Sequence, residues 1–413
     1  MKKLLILGKV WPEPNSSAAG TRMMQLISLF QKNNVNITFA SPAADSPFMA
    51  NLDNMGIRRH HIEINSESFD LFLKEVQPDI VLFDRFTTEE QLGWRVADQC
   101  PHALRLLDTE DLQCLRAARQ LAHQQLREFS LSDLNSDIAF REIASIYRCD
   151  LSLIISKFEI ELLGKHFNVP AAQLYYYPLL AETIPDELKR KWPSFSERTH
   201  FLSIGNFLHE PNWDAVQFLK KEIWPLIRKE LPSAELHIYG AYPSQKVFEL
   251  HDPKTGFLIK GRAESTTEVM SQARVCLAPL RFGAGLKGKL MDAMTRGTPN
   301  VTTDIGAEGM QDELPWAGAI AASAQEFASA SLHLYNNEKA WTEAQENGFN
   351  IINTLFSKEQ HEQGLIQIIE LLNNSLQQYR ETNFTGAMLQ HHRAQSTKYM
   401  SLWIEAKNKG RKN

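Results

Sequence analysis

Cysteine is scarce in this chain: four residues in 413, at Cys100, Cys114, Cys149 and Cys276, with no Cys-x-x-Cys pair. Spacing that wide builds neither a disulfide framework nor a zinc site, and isolated, mostly buried thiols are expected. An excess of one charge is missing too. The 44 Lys and Arg face 49 Asp and Glu, which excludes a nucleic-acid binder driven by bulk charge but not a site for one small anion. Long apolar runs are absent. After Met1-Lys-Lys the run Leu4-Leu-Ile-Leu7 stops at Gly8; it is too short for a signal core or a membrane span and reads as the first β-strand of a cytoplasmic protein. The common nucleotide fingerprints are lacking as well. Leu290 follows Lys289 where a P-loop has Ser or Thr, and Gly283-Ala-Gly-Leu-Lys-Gly288 lies deep in the chain with a lysine inside it.

What is present is a repeating strand and helix rhythm. A length of 413 residues is too great for one ordinary core and predicts two domains with an appended helical segment. Apolar runs at Leu4–Leu7, Asn36–Ala40, Ile57–Ile64, Asp79–Phe83, Ala103–Leu107 and Leu151–Ile155 lack strict alternation, as parallel strands covered on both faces do. Helical stretches separate most of them. From Pro178 to Pro193 the chain reads as a linker. A second series then begins at His200-Phe-Leu-Ser-Ile204, followed by a helix from Asp214 to Lys229 and strands at Glu235–Tyr239, Phe257–Gly261, Val275–Ala278 and Asn300–Thr303. After Phe327 the pattern is helical throughout. His391 and His392 in the tail are adjacent, diverge on a helix, and make a poor metal pair.

The stretch from Leu277 to Thr303 organises the rest. A short strand gives way to a turn through Gly283, Gly285 and Gly288, then to a helix ending at Gly297. Such a turn lets a backbone approach a ligand and aims free N–H groups at an anion. Lys287 and Lys289 add positive charge, so the stretch reads as a phosphate cradle or, more plainly, as a tight turn with two solvated lysines.

In doubly wound sheets ligands sit beyond the carboxyl ends of the strands. There the sequence places Asp84-Arg85, Asp108-Thr-Glu-Asp111 and Gly205-Asn206. Asp111 could equally cap a helix at Leu112, and Asp84-Arg85 could be a local ion pair. Gly20 and Arg22, at the end of the polar loop Trp11–Gly20, mark either a ligand-binding helix start or an ordinary surface loop. Ser156 with Glu159 three residues on reads as a capping box. No catalytic constellation stands out in residues 112–150.

Taken together, Ser203-Ile-Gly-Asn206, Pro211-Asn-Trp-Asp-Ala215, Leu236-His-Ile-Tyr-Gly240, Ala278-Pro-Leu-Arg-Phe-Gly-Ala-Gly-Leu-Lys-Gly-Lys289, Asp292-Ala-Met294 with Gly297 and Pro299, and Gly306-Ala-Glu-Gly309 resemble the glycogen-synthase-like glycosyltransferases with the GT-B fold. The resemblance implies an α/β protein with two Rossmann-like domains facing across a cleft and a C-terminal helix crossing back to the first. Residues 1–185 would form the acceptor-side domain, 186–199 the linker, 200–375 the donor-nucleotide domain and 376–413 the returning tail.

It further implies sugar transfer from a nucleoside-diphosphate sugar to a hydroxyl of a glycan, lipid-linked or protein acceptor, with retention and with no metal or other cofactor. No nucleic acid is expected as a partner, and peripheral membrane contact is compatible with the reading. Gly205, Asn206, Arg281, Gly283, Gly285, Leu286, Lys287, Gly288, Lys289, Asp292 and Glu308 would bind the donor, with Lys287 catalytic. Gly20, Arg22 and the catalytic Asp108 would face them from the first domain. Many relatives carry two glutamates eight residues apart where this chain has Ala284 and Asp292. A sugar-nucleotide epimerase of similar architecture, or a catalytically silent nucleotide-sugar-binding relative, are the other classes the residues allow.

Overall fold

The computed structural model describes residues 2–410, except the side chains of residues 392–397 and 409. Its first sheet is entirely parallel and contains β1 (Lys3–Leu7), β2 (Asn36–Ser41), β3 (Arg58–His61), β4 (Ile80–Asp84), β5 (Leu104–Asp108), β6 (Leu151–Ile154) and β7 (Leu174–Tyr176). The order across the sheet is β3-β2-β1-β4-β5-β6-β7. Leu4 to Leu7 have no exposed surface, because helices cover both faces: α1 (Ala18–Lys32), α2 (Glu67–Val76), α3 (Phe86–Gln99), α4 (Gln113–Gln124), α5 (Asp137–Arg148) and α6 (Lys157–Lys165). Serine side chains start several of them. Ser17 accepts from the N–H of Gly20 and Ser136 from that of Ala139.

After a short α7 (Asp186–Lys189), a second parallel sheet runs through β8 (His200–Ile204), β9 (Leu236–Tyr239), β10 (Phe257–Gly261), β11 (Ala273–Ala278), β12 (Asn300–Thr302) and β13 (Gly318–Ile320), in the order β10-β9-β8-β11-β12-β13. The helix expected from Asp214 begins earlier. It comprises α8 (Glu210–Phe218), a π turn at Leu219–Ile223 and α9 (Trp224–Glu230). Pro211 is tolerated in its first turn, where an N–H is an orphan anyway. Pro225 supplies no N–H to the preceding turn, which widens there. The sheet is completed by α10 (Gln245–Phe248), α11 (Thr266–Gln272), α12 (Gly288–Thr295), α13 (Asp304–Ala307), α14 (Ala324–Asn336) and α15 (Glu338–Leu355).

The return to the first domain starts at Ser357, earlier than the expected 376. The N–H of Ala181 donates to Phe356 O at 2.8 Å and that of Lys358 to Ala181 O at 3.0 Å, so the two crossing strands are paired. Helix α16 (Lys358–Asn374) then seats Leu365, Ile369 and Leu372 in the core of the first sheet. Helices α17 (Leu376–Thr382) and α18 (Phe384–Lys409) continue over that domain. The side chain of His392 lies outside the described residues. All four cysteines are buried and unpaired, and among the described residues no helix is long and apolar enough to cross a membrane.

Candidate active site

Each sheet has a switch point where the strand order reverses, between β1 and β4 and between β8 and β11. In open α/β sheets ligands bind at such a point, beyond the carboxyl ends of the strands. At the second switch point Gly205 and Asn206 follow β8, and the glycine-rich turn follows β11. The turn is built as the sequence suggests: Gly283 and Gly285 have φ of 151° and 62°, values that a side chain disfavours. α12 then begins at Gly288, with Lys287 at its cap position.

Three of the expected residues meet here. Lys289 Nζ donates to Asn212 Oδ1 at 2.7 Å, and Asn212 Nδ2 to the carbonyl of Asn206 at 2.9 Å. A Cβ on Gly205 would lie 2.7 Å from the Asn212 side chain and 2.9 Å from Lys289 Nζ, so only glycine lets the ammonium approach the strand end. Asn212, in the first turn of α8, is the fourth member of the cluster.

Lys287 donates to the carbonyls of Ala284 and Gly285 at 3.0 and 2.5 Å. Loss of solvent pushes both ammonium pKa values down to about 8; for Lys287 the carboxylates of Glu308 and Glu159 work against that shift. The Asp292 carboxylate, on α12, has no hydrogen-bond partner among the described residues, and desolvation pushes its pKa up to about 6. The N–H groups of Leu286, Lys287 and Gly288 likewise have no protein acceptor among the described residues. An anion has two cations and three free donors to meet, and a hydroxylated group has one carboxylate.

Three expected donor contacts are already engaged. Arg281 holds Asp214 with Nε at 2.9 Å and Nη2 at 2.6 Å, and lies over the Phe218 ring. Leu286 packs with Ile155, Leu179 and Met310 in an apolar cluster shared by the two domains. Glu308 is held by Arg119 of α4, whose Nη1 also donates to Gly283 O at 2.9 Å.

The glycines have a second purpose that the sequence reading misses. A Cβ on Gly285 would meet Asp111 and Ile155 at 2.8 Å, and one on Gly288 would meet the Ala18 methyl at 2.6 Å. All three partners belong to the first domain, so the turn is shaped for closure of the cleft as well as for a ligand. Ala284 sits in the apolar core of the first domain, 8 % exposed. A glutamate there would bury an unpaired charge.

Glu159 is not a capping residue for α6. Its Oε1 crosses the cleft to accept from the N–H of Gly285 at 2.9 Å, while also accepting from Leu112 N at 3.0 Å. Burial raises its carboxyl pKa to about 8, and Oε2 is buried without a partner. Asp111 does not cap α4 either; it pairs with Arg116, and the carboxylate of Glu142 accepts from Gln113 N and Cys114 N instead.

On the first-domain side, Arg22 and Asp108 do not face the cleft as free groups. Both side chains are fully buried and paired with each other: Arg22 Nε donates to Oδ1 at 2.9 Å and Oδ2 at 3.2 Å, and Nη2 lies 2.8 Å from Oδ1 as an ion pair without a hydrogen bond of its own. The remaining Arg22 donor reaches the carbonyls of Tyr177 and Pro178 at 2.6 and 2.9 Å, where the chain leaves the first sheet. Gly20 is required by the Glu13 carbonyl, 2.2 Å from where its Cβ would stand. The loop before it serves the domain contact: Glu13 accepts from the Tyr242 hydroxyl of the second domain at 2.7 Å. Asp84, Arg85, Asp108 and Glu110 do converge on one rim as expected. Glu110 is the residue passed over there. It has φ of 63°, a buried oxygen without a partner, and a pKa raised to about 8 by burial and then by Asp108.

Two parallel sheets facing across a cleft, with a returning C-terminal helix, define the class: the fold is that of the GT-B glycosyltransferases. Residues 198–337, in the second domain, match the family described as "Glycosyl transferases group 1". Its fold is similar to sucrose-phosphate synthase from Thermosynechococcus elongatus, at 15 % identity and a TM-score of 0.68 over 91 % of this chain and 100 % of that one. TarM is similar at 10 % identity and a TM-score of 0.69, over 89 % and 98 %. Anabaena HepE, solved in complex with UDP and glucose, is similar at 12 % identity and 0.65, over 90 % and 100 %. No curated protein matches the sequence.

Proposed function

We propose that the protein transfers a sugar from a nucleoside-diphosphate sugar to an acceptor hydroxyl. The observation that carries this reading is the convergence of Lys287, Lys289, three unengaged N–H groups and the unpartnered Asp292 at the second switch point. The diphosphate lies against the turn 283–289, and Asp292 accepts from hydroxyls of the donor ribose. Glu308, fixed by Arg119, meets hydroxyls of the sugar. As the anomeric C–O bond breaks, charge grows on the leaving phosphate oxygens and is met by Lys287, Lys289 and the start of α12.

The acceptor oxygen bonds to the anomeric carbon, and its proton passes to the leaving phosphate. Retention follows from that same-face arrangement without a protein general base, and the two lysines do the charge neutralisation for which other enzymes use a divalent cation. HepE, solved with UDP, makes uridine the first base to try. A thermal-shift series with uridine, guanosine and adenosine diphosphates tests the donor class. Stabilisation by one of them at concentrations well above Kd is expected, and no shift with any of them contradicts the reading.

A further inference from the structure

Helix α18 is turned inside out. The side that meets the first domain is polar: Lys398 Nζ pairs with Asp98 at 2.7 Å, Arg95 Nη2 donates to Ser401 Oγ at 3.2 Å and lies 3.5 Å from Glu405, and Ser401 Oγ bonds Asn65 at 3.2 Å. Near the helix start, Asn383 Nδ2 donates to the carbonyl of Tyr147 at 2.8 Å. The opposite side is apolar and uncovered. Phe384, Met388, Tyr399, Met400, Leu402 and Trp403 are 77, 45, 66, 59, 41 and 59 % exposed. At 3.6 residues per turn all but Met400 fall within an arc of about 100°. Water-facing helices carry the reverse pattern, so this face has evolved to meet something apolar.

Charge identifies the occupant. From Asn383 to the last residue the chain has six basic residues, Arg393, Lys398, Lys407, Lys409, Arg411 and Lys412, and one acidic residue, Glu405, within a chain whose net charge is −5. That single carboxylate is turned toward Arg95. Lys407 stands on the exposed side, its Nζ 4.9 Å from the Trp403 ring. A second copy of the chain pairing through this face would bring the same cations and no acidic complement. A bilayer with anionic headgroups offers both an apolar layer for the Tyr, Trp, Met and Leu side chains and negative charge for the lysines.

We propose that the outer face of α18 is a docking surface for an anionic phospholipid bilayer, holding the first domain against the membrane. The test is co-sedimentation of the full-length protein with vesicles of phosphatidylcholine, with and without an equal share of phosphatidylglycerol. Binding to the anionic vesicles alone is expected, weakening as salt rises. The double variant Tyr399→Ser with Trp403→Ser should lose at least about tenfold in partitioning, and Lys407→Glu should weaken it with an unchanged melting temperature, since both alterations lie on the solvent side. Failure to bind anionic vesicles, or equal binding by the double variant, overturns the proposal. Self-association in sedimentation velocity that the same double variant abolishes also overturns it, in favour of a second copy.

Discussion

Arg119 on the first domain closes both guanidinium nitrogens on the carboxylate of Glu308 on the second, at 2.8 and 2.7 Å. The pair joins a helix of one domain to the end of α13 in the other, and its third bond ties down Gly283 O. Both side chains are largely buried, so truncating one strands the other. In a double-mutant cycle with Arg119→Ala and Glu308→Ala, the coupling in donor kcat/KM should be about 1–3 kcal/mol. Additive losses would show that the pair is incidental to donor use.

Gly288 and Ala18 touch across the same cleft. A Cβ at 288 would stand 2.6 Å from the Ala18 methyl, and its φ is not in the left-handed region, so strain in Gly288→Ala comes from the neighbour alone. The variant should lose activity by holding the domains apart, and Ala18→Gly in the same chain should restore much of it. Equal activity with and without the second change would sever the loss from closure.

Glu159 couples pH to stability. Its pKa stands at about 8 in the fold against an ordinary 4.5, so the folded chain holds this proton more tightly than the unfolded one. The stabilisation is full below 4.5 and is lost as pH rises through about 8. Glu159→Gln keeps the oxygen that accepts from Gly285 and does not titrate. Relative to this variant the wild type should lose about 1 kcal/mol or more in denaturant unfolding between pH 5 and pH 9. Parallel profiles would contradict the shift.

The lysine pair sets the opposite limit on catalysis. Desolvated ammonium groups near pKa 8 lose their charge in mild alkali, and kcat/KM reports the free enzyme. Donor kcat/KM should therefore fall as pH passes about 8, while kcat falls at higher pH, because bound diphosphate favours the charged form. A kcat/KM that is flat to pH 10 is incompatible with these cations receiving the donor.

Strands such as Leu4–Leu7 and Phe201–Ser203 were legible because burial on both faces leaves an unbroken apolar run. β7 and β13 were not. Each is a three-residue edge strand, Leu174-Tyr-Tyr176 and Gly318-Ala-Ile320, too short to carry a period. The glycine turn announced itself through local spacing, and so did Lys287 and Lys289, whereas Asp292 was marked only by the family resemblance. Arg119 and Glu159 did not, since their partners lie 189 and 126 residues away. Local reading made Glu159 a capping residue and found nothing in α4, although Arg116 and Arg119, three apart on one helix just after Asp111, were a signal. Arg22 and Asp108 were each noticed as chemistry and misplaced. Only the sheet, which brings α1 beside the end of β5, turns two candidates for ligand contact into one buried ion pair.

The most direct measurement is release of nucleoside diphosphate from a panel of nucleotide sugars, with and without candidate acceptors, by the wild type and by Lys287→Ala. If the turn stabilises the leaving diphosphate, the wild type releases it from one donor and the variant, folded as before, loses about 2–4 kcal/mol of transition-state stabilisation, read as a fall of roughly 30- to 1000-fold in kcat. Turnover by Lys287→Ala close to the wild-type rate would contradict the assignment of the donor diphosphate to this turn.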